Sequence, residues 1–116
     1  MRVRVFAKNV TVTPRVAELI ERRLGFALGR FASRVIEVAV RLQDLNGPRG
    51  GIDQHCRIDA SVRPSAYKMA EGRGLTVEAA ICQAVDRIAR AVRKDLARRR
   101  ARRIRPGRRI EEPALA

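Results

Sequence analysis

A chain of 116 residues in which 46% of positions are hydrophobic has the length of one domain and apolar material for one modest core. Its 26 Lys and Arg against 12 Asp and Glu give a net charge of +14 and an isoelectric point of 11.6, the balance of a protein that seeks polyanions. No run of about 18 apolar residues exists to span a bilayer, the opening MRVRVFAKN lacks the apolar block of a signal peptide, and Cys56 and Cys82 are too far apart for a secreted disulfide framework; a reducing, cytoplasmic location is expected.

Residues 2–7 alternate polar and apolar, with Val3 and Val5 on one face, the period of a half-buried strand. Thr13 then offers a capping hydroxyl and Pro14 suits the first helical position, so a helix is predicted from there to about Ala32. Its buried stripe reads Val16, Ile20, Leu24, Ala27 and Phe31. Over 34–43 a second strand sets Ile36, Val38, Val40 and Leu42 against Glu37, Ala39 and Arg41. NGPRGG at 46–51 is turn chemistry, and Cys56, Ile58, Ala60 and Val62 alternate after it, which predicts an antiparallel hairpin. Pro64 closes that strand, a fourth is expected over 66–71, and Gly72 and Gly74 break the pattern. Thr76 caps a second helix with the stripe Val77, Ile81, Ala84, Val85, Ile88, Val92 and Leu96; Arg99 stands where the next core residue would fall, so the last turns project past the body. The order β-α-β-β-β-α predicts an α+β fold with both helices on one face of a four-stranded sheet, a domain over 1–100 and a basic tail over 101–116.

The charge is uneven: residues 1–86 hold 14 basic and 9 acidic side chains, whereas 87–109 hold 12 basic and only Asp95. A solvated helix face usually mixes signs; here mutual repulsion of like charges costs stability unless an anion relieves it. Arg87, Arg90, Lys94 and Arg98 share a sector of about 80° on the second helix, Arg15, Arg22 and Arg30 share an edge of the first, and Lys8 is placed in the loop after the first strand. Side by side, the helices would form a basic groove. With only 3% aromatic residues (Phe6, Phe26, Phe31, Tyr67) no base-stacking platform is visible, which favours phosphate and shape recognition of folded RNA or duplex DNA.

Other constellations are weak. His55 and Cys56 point to opposite faces of a strand and Cys82 is distant, which argues against a metal site; Cys56 reads as a small core residue and His55 as an exposed polar one. GPRGG has neither the strand-to-helix setting nor the Lys-Ser/Thr of a nucleotide loop, and the carboxylates form no framed pair. No cofactor and no enzyme activity are expected.

Lys8-Asn9-Val10-Thr11-Val12-Thr13 before the first helix, Val35-Ile36-Glu37-Val38-Ala39-Val40 after it, and Thr76-Val77-Glu78-Ala79-Ala80-Ile81 opening the last helix together resemble the ribosome hibernation-promoting factors and ribosome-associated inhibitors, over about residues 2–98. The match is to short, sigma-factor modulation protein-like members. The resemblance implies a domain shaped like double-stranded RNA-binding domains that sits in the decoding channel of the small ribosomal subunit and blocks messenger and transfer RNA during stress. Carried over, its RNA contacts are Lys8, Arg22, Arg30, Arg87, Arg90, Arg93, Lys94 and Arg98. The loop NGPRGGID and the arginine-rich tail depart from the pattern, and 116 residues leave no room for the dimerisation domain of long members, so a monomer off the ribosome is expected. Two other readings stand beside this one: a general nucleic-acid-coating protein, and a protein-interaction module, such as a transcription-factor modulator, using the mixed charges of Arg41, His55, Arg57 and Asp59.

Overall fold

The computed structural model describes residues 1–45 and 53–104, with no side-chain description for 102–104. The turn at 46–51 and residues 105–116 of the expected tail lie outside the described residues. Among the described residues the elements follow in the order β1 (Arg2–Lys8), α1 (Pro14–Leu28), a 3-10 turn (Gly29–Phe31), β2 (Val35–Asp44), β3 (Gln54–Val62), β4 (Ala66–Gly74) and α2 (Val77–Ile104). The sheet order is β1-β2-β3-β4, with β1 parallel to β2 and the other pairs antiparallel. A parallel neighbour needs a crossover connection, and α1 supplies it.

Both helices begin as their sequences dictate. Thr13 Oγ1 accepts a hydrogen bond from the Val16 amide at 3.2 Å, with Pro14 opening α1, and Thr76 Oγ1 accepts from the Ala79 amide at 3.1 Å. The core lies between the helices and one sheet face: Val16, Ile20, Leu24 and Leu28 of α1, Val38, Val40 and Leu42 of β2, Cys56, Ile58, Ala60 and Val62 of β3, and Ile81, Ala84, Val85, Ile88 and Val92 of α2. Burying a Leu, Ile or Val side chain of this kind stabilises the fold by about 1.5–3 kcal/mol.

Four local expectations change. The helix expected to reach Ala32 tightens into 3-10 geometry after Leu28, and Leu28, one straight i,i+4 step from Leu24, takes the buried position while Ala27 and Phe31 are half-buried against the core. In β2 a bulge between Val35 and Glu37 inserts a register shift, so Val35 turns inward and Ile36 is left 48% exposed. Gly72 and Gly74 do not interrupt β4; they belong to it. A Cβ on Gly72 would meet the backbone oxygen of Ala80 and come within 2.6 Å of the Ala84 nitrogen, and one on Gly74 would come within 2.8 Å of the Ala79 Cβ. These glycines let α2 lie directly on the strand. Finally, α2 continues as helix to Ile104, past residue 100 where the tail was expected to begin.

Candidate nucleic-acid interface

The helices pack beside each other over the sheet, and the groove between them collects most of the exposed arginines of the molecule's helical side. Near the start of α1 it is walled by Arg15, Arg22 and Arg23, with Glu18 and Glu78 nearby. Further along it forms a depression of about 390 Å³ lined by Phe26, Arg30, Arg90 and Arg93, with Asp86 the one carboxylate among the described residues. Past the end of α1 it continues over Phe31 and Leu96 between Arg30, Arg93 and Arg100, with no acidic residue in its lining among the described residues. The carboxylates thin out along the groove, so its potential grows more positive toward the projecting end of α2. An extended polyanion laid along this groove would meet guanidiniums throughout its length, and planar guanidiniums suit bidentate phosphate contacts.

Of the eight residues the sequence singled out, Arg22, Arg30, Arg90 and Arg93 share this groove. The other four do not. Lys8 is the last residue of β1, not a loop residue, and lines a depression of about 360 Å³ on the open sheet face with Phe6, Arg41, His55, Arg57 and Glu71. Arg87 turns toward the outer strand and donates to the backbone oxygen of Glu71 at 2.9 Å. Arg98 lies 3.9 Å from the Asp95 carboxylate, and Lys94 is exposed on the outer side of α2. The ladder Arg87, Arg90, Lys94, Arg98 is thus a continuous stripe only on a helical wheel; in the fold its members serve different neighbours.

Among the described residues Glu37 lies within 4.0 Å of Arg2 and Arg4, and Asp95 and Asp59 gather cations at shorter range. Asp95, almost buried, receives Arg99 Nε at 2.9 Å and lies 3.5 Å from Lys68 Nζ of β4, which ties α2 to the sheet where its last turns leave the core. The hydrogen bond from Arg99 holds the Asp95 carboxyl below the usual carboxylate range, with its burial opposing. On the open face Asp59 accepts from Arg41 at 2.8 Å, from Arg57 at 3.2 Å and from the Tyr67 hydroxyl at 2.5 Å. Arg4 and Arg41 also lie over the Phe6 ring, 5.4 and 5.1 Å from its centroid. His55 is half-buried, not exposed, with Nε2 3.6 Å from Glu71. Cys56 is fully buried, and burial pushes its thiol up to about 12.

Sequence reasoning missed Phe26 and Arg100. Phe26 lies off the apolar stripe, and Arg100 follows Arg93 by two helical turns on the same side, so both signals were present in the spacing. Among the described residues no group of three or more His, Cys, Asp or Glu could hold a metal ion, and no helix is long and apolar enough to cross a membrane.

The fold and the groove together define a class: a small α+β domain with one sheet face open and an arginine-lined helical side. Residues 3–100 match the family model described as sigma 54 modulation protein / S30EA ribosomal protein, and the chain belongs to that family, the one that contains the hibernation-promoting factors. Solved structures share its fold, two of them as follows. The N-terminal domain of Protein Y from Thermus thermophilus superposes with a TM-score of 0.68 at 20% identity, covering 81% of this chain and 98% of that one. A ribosomal subunit interface protein from Coxiella burnetii gives a TM-score of 0.54 at 17% identity, covering 87% of this chain and 99% of that one. No curated protein matches the chain. The family is one of ribosome-associated modulators and not a class of enzymes.

Proposed function

We propose that this protein is a non-enzymatic, cytoplasmic translation regulator that binds the small ribosomal subunit through rRNA phosphates and blocks messenger and transfer RNA sites during stress. The observation that carries the reading is the interhelical groove, where Arg30, Arg90 and Arg93 line one depression and Arg22 lines the one before it. Family membership supports the ribosome as the partner, and the exposed guanidiniums along the groove suit phosphate contacts. Lys8, Arg87, Lys94 and Arg98 act as outlying contacts, and the protein is monomeric away from the ribosome.

Co-sedimentation of the full chain with small subunits over a range of salt tests this. Binding weakens as salt rises, and replacing Arg30, Arg90 and Arg93 by alanine flattens the slope of log K against log salt by about 2, three contacts at ~0.7 each. A protein that stays at the top of the gradient at low salt refutes the reading. Equal affinity for duplex DNA and ribosomal RNA would favour the second reading, a general nucleic-acid-coating protein, to which the cation-dense end of α2 lends itself.

A further inference from the structure

The groove holds one residue that phosphate binding does not explain. Phe26 is 92% exposed, the most exposed of the large hydrophobic side chains among the described residues. The other phenylalanines have partners: Phe31 packs against the core with Arg30 over its ring at 5.5 Å, and Phe6 lies beneath Arg4 and Arg41. Among the described residues no cation stacks on Phe26, and its exposed ring borders a depression lined by Arg30, Arg90 and Arg93, with Asp86 also in the lining.

Two glycines adjoin it. A Cβ added to Gly25 or Gly29 would meet nothing within 4 Å, and Gly29 has right-handed helical dihedrals, φ −56° and ψ −37°. Neither packing nor backbone conformation calls for glycine at either place, and glycine weakens a helix relative to alanine. By helical rotation Gly29 and Gly25 lie about 60° and 100° to one side of Phe26, while Arg30 lies about 40° to the other, toward α2. The ring is therefore bordered by bare backbone on one side and by guanidiniums on the other. Bare backbone admits the close approach of another backbone.

We propose that Phe26 is a base-stacking contact: its ring takes the face of an unpaired nucleotide of folded RNA whose sugar-phosphate backbone crosses α1 at Gly25 and Gly29. Its phosphates lie on Arg30, Arg90 and Arg93. The proposal rests on the RNA-binding reading above and gives it what phosphate contacts lack, a preference for unpaired over paired segments. A second copy of the chain is a poor occupant, because each copy carries a net charge of +14 and would be repelled.

The test compares two RNAs of equal length, a hairpin with an unpaired loop and a fully paired duplex, bound to the full chain by fluorescence anisotropy. The wild type prefers the loop RNA. Phe26→Ala weakens loop binding about 5- to 100-fold and leaves duplex affinity and the salt slope unchanged. Phe26→Trp restores loop binding, and because the chain has no other tryptophan, quenching of its emission on saturation reports stacking directly. Gly25→Ala with Gly29→Ala also weakens loop binding while the protein stays folded. Rescue by Phe26→Leu as complete as by Phe26→Trp, equal losses on both RNAs, or unquenched emission would overturn the proposal. Wild-type binding without a Phe26 effect sinks this inference alone; no wild-type binding to either RNA at low salt sinks the RNA reading with it.

Discussion

The same substitution, glycine to alanine, should act in opposite directions on the two sides of this fold. At Gly25 and Gly29 an added methyl meets open space and removes backbone freedom from the unfolded chain, so each change stabilises by about 0.5–1 kcal/mol, less at Gly29 because it closes the helix. Together they raise the melting temperature by about 5 °C, since 1 kcal/mol corresponds to roughly 4–8 °C in a domain of this size. At Gly72 the methyl would collide with the Ala80 carbonyl and the Ala84 nitrogen, both backbone, so α2 must lift from β4. Overpacking of this sort costs about 1–3 kcal/mol, a loss of roughly 5–15 °C. Thermal melts followed by far-UV circular dichroism, with urea titrations to check that the slope is unchanged, measure both. A Gly25→Ala protein that melts lower than wild type, or a Gly72→Ala protein that melts unchanged, would refute the contact argument on which the assignment of these glycines depends.

Asp95→Ala leaves Lys68 and Arg99, each partly shielded from water, without their carboxylate, and should lower stability by about 1.5–3 kcal/mol in urea unfolding; a loss below about 0.5 kcal/mol would show that the cluster is not an anchor. Because the Asp95 carboxyl is held below its ordinary 3.8, its contribution is present above about pH 4 and is lost as pH falls through the depressed value. The acid limb of a stability-pH profile should therefore flatten in Asp95→Ala. Cys56, raised to about 12 by burial, contributes stability that is full below its ordinary 9.0 and is lost as pH rises toward 12. Under native conditions at pH 8 a thiol reagent should modify the partly exposed Cys82 and spare Cys56, which mass spectrometry of the labelled peptides resolves. Tyr67→Phe removes one of three donors to the nearly buried Asp59, and a melting temperature lowered by a few degrees, about 1 kcal/mol, is the expected result.

The architecture was legible because it rests on periodicity, which sequence carries directly. The alternation Val38, Val40, Leu42 and the stripe Val16, Ile20, Leu24 specify which faces are buried, and the caps Thr13 and Thr76 mark where the helices start. What failed were features decided by a neighbour in space. Ile36 continues the alternation on paper, but a bulge against β3 turns it outward. Gly72 and Gly74 look like strand breakers until α2 is seen lying on them. The basic positions behaved likewise: a helical wheel groups Arg87 with Arg90, yet the wheel does not know that β4 lies on one side of α2 and α1 on the other. The exposure of Phe26 is hidden in the sequence for a related reason. Low aromatic content argued against stacking in general, whereas one ring is enough if the fold leaves it uncovered.

The placement of Arg87 also bears on how the edges of the sheet would meet another copy. A sheet of four strands has two raw edges, and each could accept a strand from another copy. Arg87 occupies a backbone acceptor of the outer strand β4, while the opposite edge strand β1 carries Arg2, Arg4 and Lys8. Arg2 and Arg4 share the Glu37 carboxylate, 4.0 and 3.8 Å away, so the net charge of +14, more than these edge cations alone, would oppose edge-to-edge pairing for as long as it is unbalanced. Titrating the protein with a short polyanion should produce turbidity that peaks near charge neutrality and clears in excess, and earlier clouding in Arg87→Ala would mark that guanidinium as a guard of the sheet.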